Sequence, residues 1–324
     1  MVFQLNPDVG AALAALSGPD PPPSIPVGDV ATRRTVLDAS YKAANAAQPP
    51  ISGVDVRDVH LEAQDGHRLL ARWYTSTTRP APGSAVLYSH GGGYIALSLD
   101  IYGRTIKNYV SQTGVPILSV EYRLAPEVHA PVPVQDVYSG LQYLHSNATS
   151  LGIDPARIAI MGDSAGGGLS AALAHYNKLQ ANPLPIKKQI LIYPMLDDTN
   201  TDPSSPTYTA IAPFLTWTMD DNITGWEALL GENITTSDSV PVTYAPARST
   251  VEEAQGLPSA YIDVGELDLF REEDLQYASL LGKASVSCEF HLVPSVPHAF
   301  DSFAPESEVV KRVMARRFAV LREL

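Results

Sequence analysis

Apolar and polar positions alternate with a period of two over residues 54–60 (VDVRDVH) and 68–74 (RLLARWY), and the turn-forming Gln64, Asp65 and Gly66 lie between the two runs. This predicts an antiparallel hairpin with one half-buried face. Beyond it the pattern changes to short continuous apolar runs at 85–88, 116–120, 157–161, 189–193, 260–264 and 289–293, separated by helical stretches of ten or more residues. A strand covered on both faces has no reason to alternate, so this rhythm predicts a mostly parallel sheet with helices on both sides.

Two intervals depart from the rhythm. Ahead of the hairpin, Asn6 and Pro7 suit the cap and first turn of a short helix with Val9, Leu13 and Leu16 on one side and Gly18 closing it. The proline-rich stretch 19–26 then suits an extended connector, so the first fifty residues are expected to be helices outside the sheet. Between residues 196 and 247 the chain is rich in Thr, Ser, Pro and Asp. One helical piece starts there near Thr218, with Leu215, Met219, Ile223, Trp226 and Leu230 recurring every three to four residues and Thr218 and Asp221 at capping-box spacing. The interval reads as a lid inserted between strands, with an ordinary core helix as the alternative, because periodicity does not say what a stripe packs against.

Composition narrows the partners. A chain of 324 residues accommodates one large α/β unit and an accessory layer, and its 45% hydrophobic and 18% charged content is that of a globular protein. No window approaches the roughly 20 apolar residues that span a bilayer, so no membrane span is expected. A net charge of -13 opposes phosphate backbones and anionic lipid, which sets nucleic-acid binding aside. The opening MVFQLNPDVGAALAAL lacks a basic segment and carries Pro7, Asp8 and Gly10 where a secretory signal would be apolar, so a cytoplasmic location is expected. Cys288 is alone, which excludes an intrachain disulfide and a cysteine-cluster metal site and points to an inert buried thiol in a strand. Sequons at Asn147, Asn222 and Asn233 carry little weight without secretion.

Two glycine-rich motifs carry the chemistry. Gly162-Asp163-Ser164-Ala165-Gly166 lies between the run 157–161 and a helical run at 169–179, which is the setting that G-x-S-x-G requires. A serine at the apex of such a strand-to-helix turn is exposed, and the helix N-terminus points at it. Gly166, Gly168 and Ala171 also spell a dinucleotide fingerprint, but the fingerprint's first glycine should close the strand, whereas here four residues intervene. His90-Gly91-Gly92-Gly93-Tyr94 follows the first of the parallel runs. Three consecutive glycines are conformationally expensive and belong where backbone amides must approach a ligand closely. In an acyl-transfer enzyme the amides of Gly92 and Gly93, joined by that of Ala165, would give an oxyanion three donors, each worth on the order of 3 kcal/mol in the transition state.

A serine hydroxyl needs a base. His298 follows the last strand and a loop at 294–297, whereas His60 and His291 lie in strands, His67 in a hairpin, and His145 and His175 on helices. His129 is a loop residue that the pattern does not exclude. The orienting acid belongs on the loop after the penultimate strand, where Asp268 is the first candidate and Glu266 the alternative. The order Ser164, Asp268, His298 is that of α/β-hydrolases.

From about Val54 onward the chain resembles the hormone-sensitive-lipase family, also called bacterial-type family IV esterases. The resemblance rests on HGGGY, on GDSAGG, on Tyr122 to Glu127 (YRLAPE) with Pro133 and Asp136, on Tyr193-Pro194, and on GELDLFREED from Gly265. It implies an α/β-hydrolase fold, a mostly parallel eight-stranded sheet with helices on both faces and a helical cap. The implied division is N-terminal cap helices at 1–50, a catalytic core at 51–195 and 248–324, and an inserted cap segment at 196–247. The resemblance further implies Ser164 as nucleophile, Asp268 as acid, His298 as base and the His90–Gly93 loop as oxyanion hole, acting on short- to medium-chain esters with no metal and no cofactor. Tyr94 and Trp217 are candidates for contacting the small-molecule ester. Two positions depart from the family pattern, which has Pro-Leu after the acid and Gly-Phe after the histidine; here these are Leu269-Phe270 and Ala299-Phe300. A lactonase or acyltransferase would use the same residues, and a homodimer is left open.

Overall fold

The apolar runs become eight strands of one sheet in the computed structural model, which describes residues 3–16, 24–81, 83–231 and 240–324. The strands are β1 (Val54–Glu62), β2 (Arg68–Ser76), β3 (Ala85–Ser89), β4 (Ile117–Val120), β5 (Ile158–Asp163), β6 (Lys188–Ile192), β7 (Ser259–Gly265) and β8 (Cys288–Val293). Their order is β1-β2-β4-β3-β5-β6-β7-β8. β1 and β2 form the expected hairpin, in register from Val54 opposite Ser76 to Glu62 opposite Arg68, and β2 is also antiparallel to β4. All the remaining pairings are parallel.

Every residue of β3, β4 and β5 is buried, yet the period of two persists in which side of the sheet each serves. Ala85, Leu87, Ile158 and Ile160 enter one core with the helices Val132–Ser146, Ala165–Lys178 and Arg271–Lys283. Val86, Tyr88, Ala159 and Met161 enter the other with the helices Leu99–Thr113 and Glu308–Arg322. The chain leaves β3 toward β4 and leaves the adjacent β5 toward β6, on the opposite side. A crevice therefore opens at the carboxyl ends of these two strands, where ligands bind in open α/β sheets. The two glycine motifs emerge there.

The helix Pro7–Leu16 begins as expected, with Asn6 Oδ1 accepting from the amides of Asp8 and Val9 at 3.1 and 3.2 Å. It docks by its first turns, where the Asn6 amide donates to Ser295 O and Val9 is buried, so Leu16 at its far end is 46% exposed instead of sharing Val9's face. The expected closure at Gly18, the first part of the proline-rich stretch and the sequon at Asn233 lie outside the described residues. Asn222 is fully buried and donates to Asn200 O at 2.8 Å, so that sequon is a packed side chain, and Asn147 Nδ2 donates to Tyr143 O. Cys288 is half-buried and not buried as expected, because it opens the edge strand β8, yet burial still pushes its thiol up to about 11, which keeps it protonated and unreactive.

Residues before 50 and after 196 pack against each other. The helix Val30–Ala46 is capped by Asp29 and buries Arg33, whose Nε donates to Asp221 Oδ1 at 2.7 Å. Asp221 belongs to the helix Met219–Leu230, where it also completes the expected capping box: Oδ2 accepts from the Thr218 amide at 2.9 Å, and the Asp221 amide donates back to Thr218 Oγ1. Met219, Trp226 and Leu230 of the apolar stripe are buried. Among the described residues no helix is long and apolar enough to cross a membrane.

The capping box gives a stability test. Thr218→Ala should lower the urea midpoint by an amount equivalent to about 1 kcal/mol with an unchanged denaturant slope. An unaltered midpoint would mean that the tertiary contacts of this helix fix its start without the cap.

Candidate active site

β5 ends at Asp163 and the next helix begins at Ala165, leaving a single residue, Ser164, to make the turn. Its φ of 56° lies in the left-handed region, which costs an L-residue on the order of 1–3 kcal/mol. Two glycines make so tight a turn passable. A Cβ on Gly162 would lie 2.7 Å from Ser89 O, and one on Gly166 would collide with that same carbonyl oxygen. The apex is pinned through its backbone: the Ser164 amide donates to Ile192 O at 2.8 Å, and Ser164 O accepts from the amides of Gly168 and Met195, each at 3.0 Å. The helix thus starts four residues earlier than the run 169–179, through glycines that composition alone marks as non-helical.

Ser164 Oγ lies 2.9 Å from His298 Nε2, and His298 Nδ1 lies 2.7 Å from Asp268 Oδ2. All three side chains are buried, and the other oxygen of Asp268 accepts from the Phe270 amide at 3.0 Å. With Nδ1–H donated to Asp268, Nε2 is left as the acceptor for the serine hydroxyl. The alternatives are engaged elsewhere. Glu266 Oε2 accepts from the Ser295 amide at 3.0 Å, and the His129 ring bonds Ala228 O at 2.8 Å. Ala299, where the resembled family has glycine, has a φ of 55°, so the residue after the histidine carries backbone strain of about 1 kcal/mol that glycine would not.

The His90–Gly93 loop curls beside this array. Gly92 and Gly93 have φ of 116° and 60°, and Gly92 O accepts from the amides of Ile95 and Ala96. His90 donates from Nδ1 to Gly91 O at 2.8 Å and stacks on Tyr122 at 4.4 Å, and the Tyr122 hydroxyl donates to His90 O at 2.8 Å. Burial pulls the His90 imidazole down to about 4, so it acts as a neutral brace for the loop. Among the described residues, the amides of Gly92, Gly93 and Ala165 donate no hydrogen bond to the chain.

Tyr94 is buried, with its hydroxyl donated to Met195 O at 3.0 Å and its ring 5.4 Å from that of Trp226. Trp217 lies on the loop itself: a Cβ on Gly93 would be 2.7 Å from Trp217 Cζ2. Its neighbour Thr216 donates from Oγ1 to His298 O at 2.6 Å. This contact was not legible in the sequence, since 82 positions separate the two residues and Thr216 stands in no motif.

The family model described as alpha/beta hydrolase fold matches residues 86–302. The chain is 35% identical to carboxylesterase NlhH of Mycobacterium tuberculosis over 239 residues, 73% of this chain and 72% of that protein. It is 30% identical to ethyl acetate hydrolase of Pseudomonas putida over 309 residues, 92% of both. Among solved structures, a bacterial heroin esterase superposes with a TM-score of 0.87 at 32% identity, over 99% of this chain and 98% of that one.

Asp163, the residue before the serine, is buried and accepts from Tyr88 at 2.6 Å and Tyr102 at 2.5 Å. Burial raises its carboxyl to about 6, and the two hydroxyls only partly offset this. A carboxyl raised in the folded state contributes stability that is fully present below its unfolded value near 3.9 and is lost as pH rises through about 6. Relative to the parent, Asp163→Asn should therefore gain stability between pH 4 and pH 7, measured by urea unfolding across that range. A difference that stays constant with pH would contradict the assignment.

Proposed function

The chain belongs to the alpha/beta-hydrolase fold family and is a carboxylic ester hydrolase, and from that premise we propose that it hydrolyses short- to medium-chain esters through an acyl-enzyme on Ser164. The observation that carries this reading is the continuous path from Ser164 Oγ through both nitrogens of His298 to Asp268, in two contacts of 2.9 and 2.7 Å.

In the first step Ser164 Oγ attacks the ester carbonyl while His298 Nε2 takes its proton, and Asp268 stabilises the imidazolium without accepting the proton. Charge develops on the carbonyl oxygen, where the amides of Gly92, Gly93 and Ala165 receive it; among the described residues these amides donate to no group of the chain. The imidazolium then protonates the leaving alcohol. Water repeats the sequence on the acyl-serine, releasing the acid and restoring Ser164.

Residues 1–50 and 196–247 form the cap in this reading, supported by the Arg33–Asp221 pair and by the Thr216 bond to His298 O. Trp217 is the acyl-side wall, because its indole rests against Gly93, and Tyr94, the next residue of the loop, packs its ring near Trp226. The names of similar proteins accord with small acyl groups: one is an ethyl acetate hydrolase and another, from Bos taurus, an arylacetamide deacetylase.

An organophosphonate probe should modify Ser164, found by peptide mapping, and Ser164→Ala should lower kcat by about 10⁴-fold or more. Label on another residue, or none, overturns the mechanism. Trp217→Ala should raise the ratio of kcat/KM for p-nitrophenyl octanoate to that for the acetate by about tenfold, the worth of one to two methylenes of new apolar contact. An unchanged ratio would remove Trp217 from the acyl pocket.

A further inference from the structure

The two hydrogen bonds of His298 fix its nitrogens, and two rings confine its plane. Tyr193 approaches with ring centroids 4.7 Å apart at 67°, and Phe270 with 4.9 Å at 87°. Phe270 is held through its backbone, where its amide donates to Asp268 Oδ1, and its ring by packing, whereas the ring of Tyr193 is itself tethered. Its hydroxyl donates to Asp301 Oδ1 at 2.8 Å, and its amide donates to Asp263 O at 2.7 Å. Its φ of 35° is in the left-handed region, so the backbone bears strain to present the ring at this place.

Both carboxylates beside Tyr193 converge on one buried cation. Arg317, on the helix Glu308–Arg322, donates from Nε and Nη2 to Asp263 at 2.7 Å each and from Nη1 to Asp301 Oδ2 at 2.5 Å. Its Cζ stands 5.5 Å from the Tyr193 ring. Asp263 is on β7, the strand leading to Asp268, and Asp301 follows His298 by three residues. The guanidinium thus ties the acid-bearing strand to the histidine-bearing loop, with Tyr193 between them. A buried ion network of this kind adds little net stability over apolar packing of equal volume. What it supplies here is a fixed position for one ring.

We propose that Tyr193, held by Asp301 and Arg317, is a positioning residue that fixes the imidazole plane of His298 for proton transfer with Ser164. The inference rests on His298 being the base. A tilt of the imidazole would lengthen its bond to Ser164 or to Asp268, and misplacement of about 1 Å costs on the order of 10²-fold in rate. Tyr193, Asp301 and Arg317 hold no ester-binding role in that reading, so the effect is expected in kcat and not in KM.

The test compares Tyr193→Phe, which keeps the ring and cuts the tether, Asp301→Asn, which weakens the tether from its other end, and Tyr193→Leu, which removes the ring. kcat and KM for p-nitrophenyl butyrate are measured per active site, with sites counted by labelling to completion with a fluorophosphonate. Expected are a loss in kcat of about 10²-fold for Tyr193→Leu and about tenfold for the other two, with KM within about twofold of the parent. Parental kcat per labelled site in Tyr193→Leu, or equal changes in kcat and KM across the series, overturns the proposal, because a purely structural role changes the number of labelled sites and not their turnover. Should Tyr193→Leu fail to fold, Tyr193→Phe and Asp301→Asn decide on the same criterion. Absence of label on Ser164 in the parent would instead overturn the acyl-enzyme reading, so the two failures are distinct.

Discussion

The passage of Gly166 beneath the carbonyl of Ser89 is the contact on which the rest of the site depends. Because neither Gly162 nor Gly166 has a Cβ, the helix Ala165–Lys178 can start directly beside β3, and Ser164 is forced into its left-handed turn. That single approach brings the helix N-terminus, the serine and the His90–Gly93 loop into one crevice. The sheet order makes it available, since β3 and β5 are neighbours whose onward connections run to opposite sides. The strain at the apex is met by three backbone hydrogen bonds to Ser164.

Around this turn the protein sorts its carboxyl groups by what holds them. Asp268 is given to the imidazole, Asp263 and Asp301 to a guanidinium, and Asp163 to two tyrosine hydroxyls. Glu273 is buried, accepts from the Leu196 amide and Asn200, and is raised well above the ordinary carboxylate range by burial. Asp274 beside it is raised for the same reason. An acidic chain can pack so many acids near one histidine because most are neutralised by a partner or by a proton, and Asp268 is the one aimed at Nδ1.

The sheet and the tight serine turn were legible in the sequence because both leave local signatures. Buried parallel strands are short apolar runs, and a strained serine turn needs glycines two positions either side of it. The loop choices between Asp268 and Glu266, and between His298 and His129, needed coordinates, since a carboxylate two residues along an irregular loop has no periodicity to give its direction. The long-range contacts were not legible. Nothing near Trp217 announces that its indole covers Gly93, and nothing in the amphipathic pattern of 308–322 marks Arg317 as the residue that turns inward to meet Asp263, 54 positions earlier. Leu16 was misjudged for the converse reason: a helical stripe records which residues could be buried, and docking through the first turns left the last one in water.

The location of Arg317 has a consequence for biosynthesis. Ser164, Asp268 and His298 all precede residue 317 in the chain, so all three are synthesised before the cation that Asp263 and Asp301 share. In the folded chain that cation stands between two carboxylates that otherwise share no counter-ion beside the histidine loop. Removing the guanidinium would therefore leave two largely buried carboxylates without a counter-ion, one on the strand that leads to Asp268 and one three residues past His298.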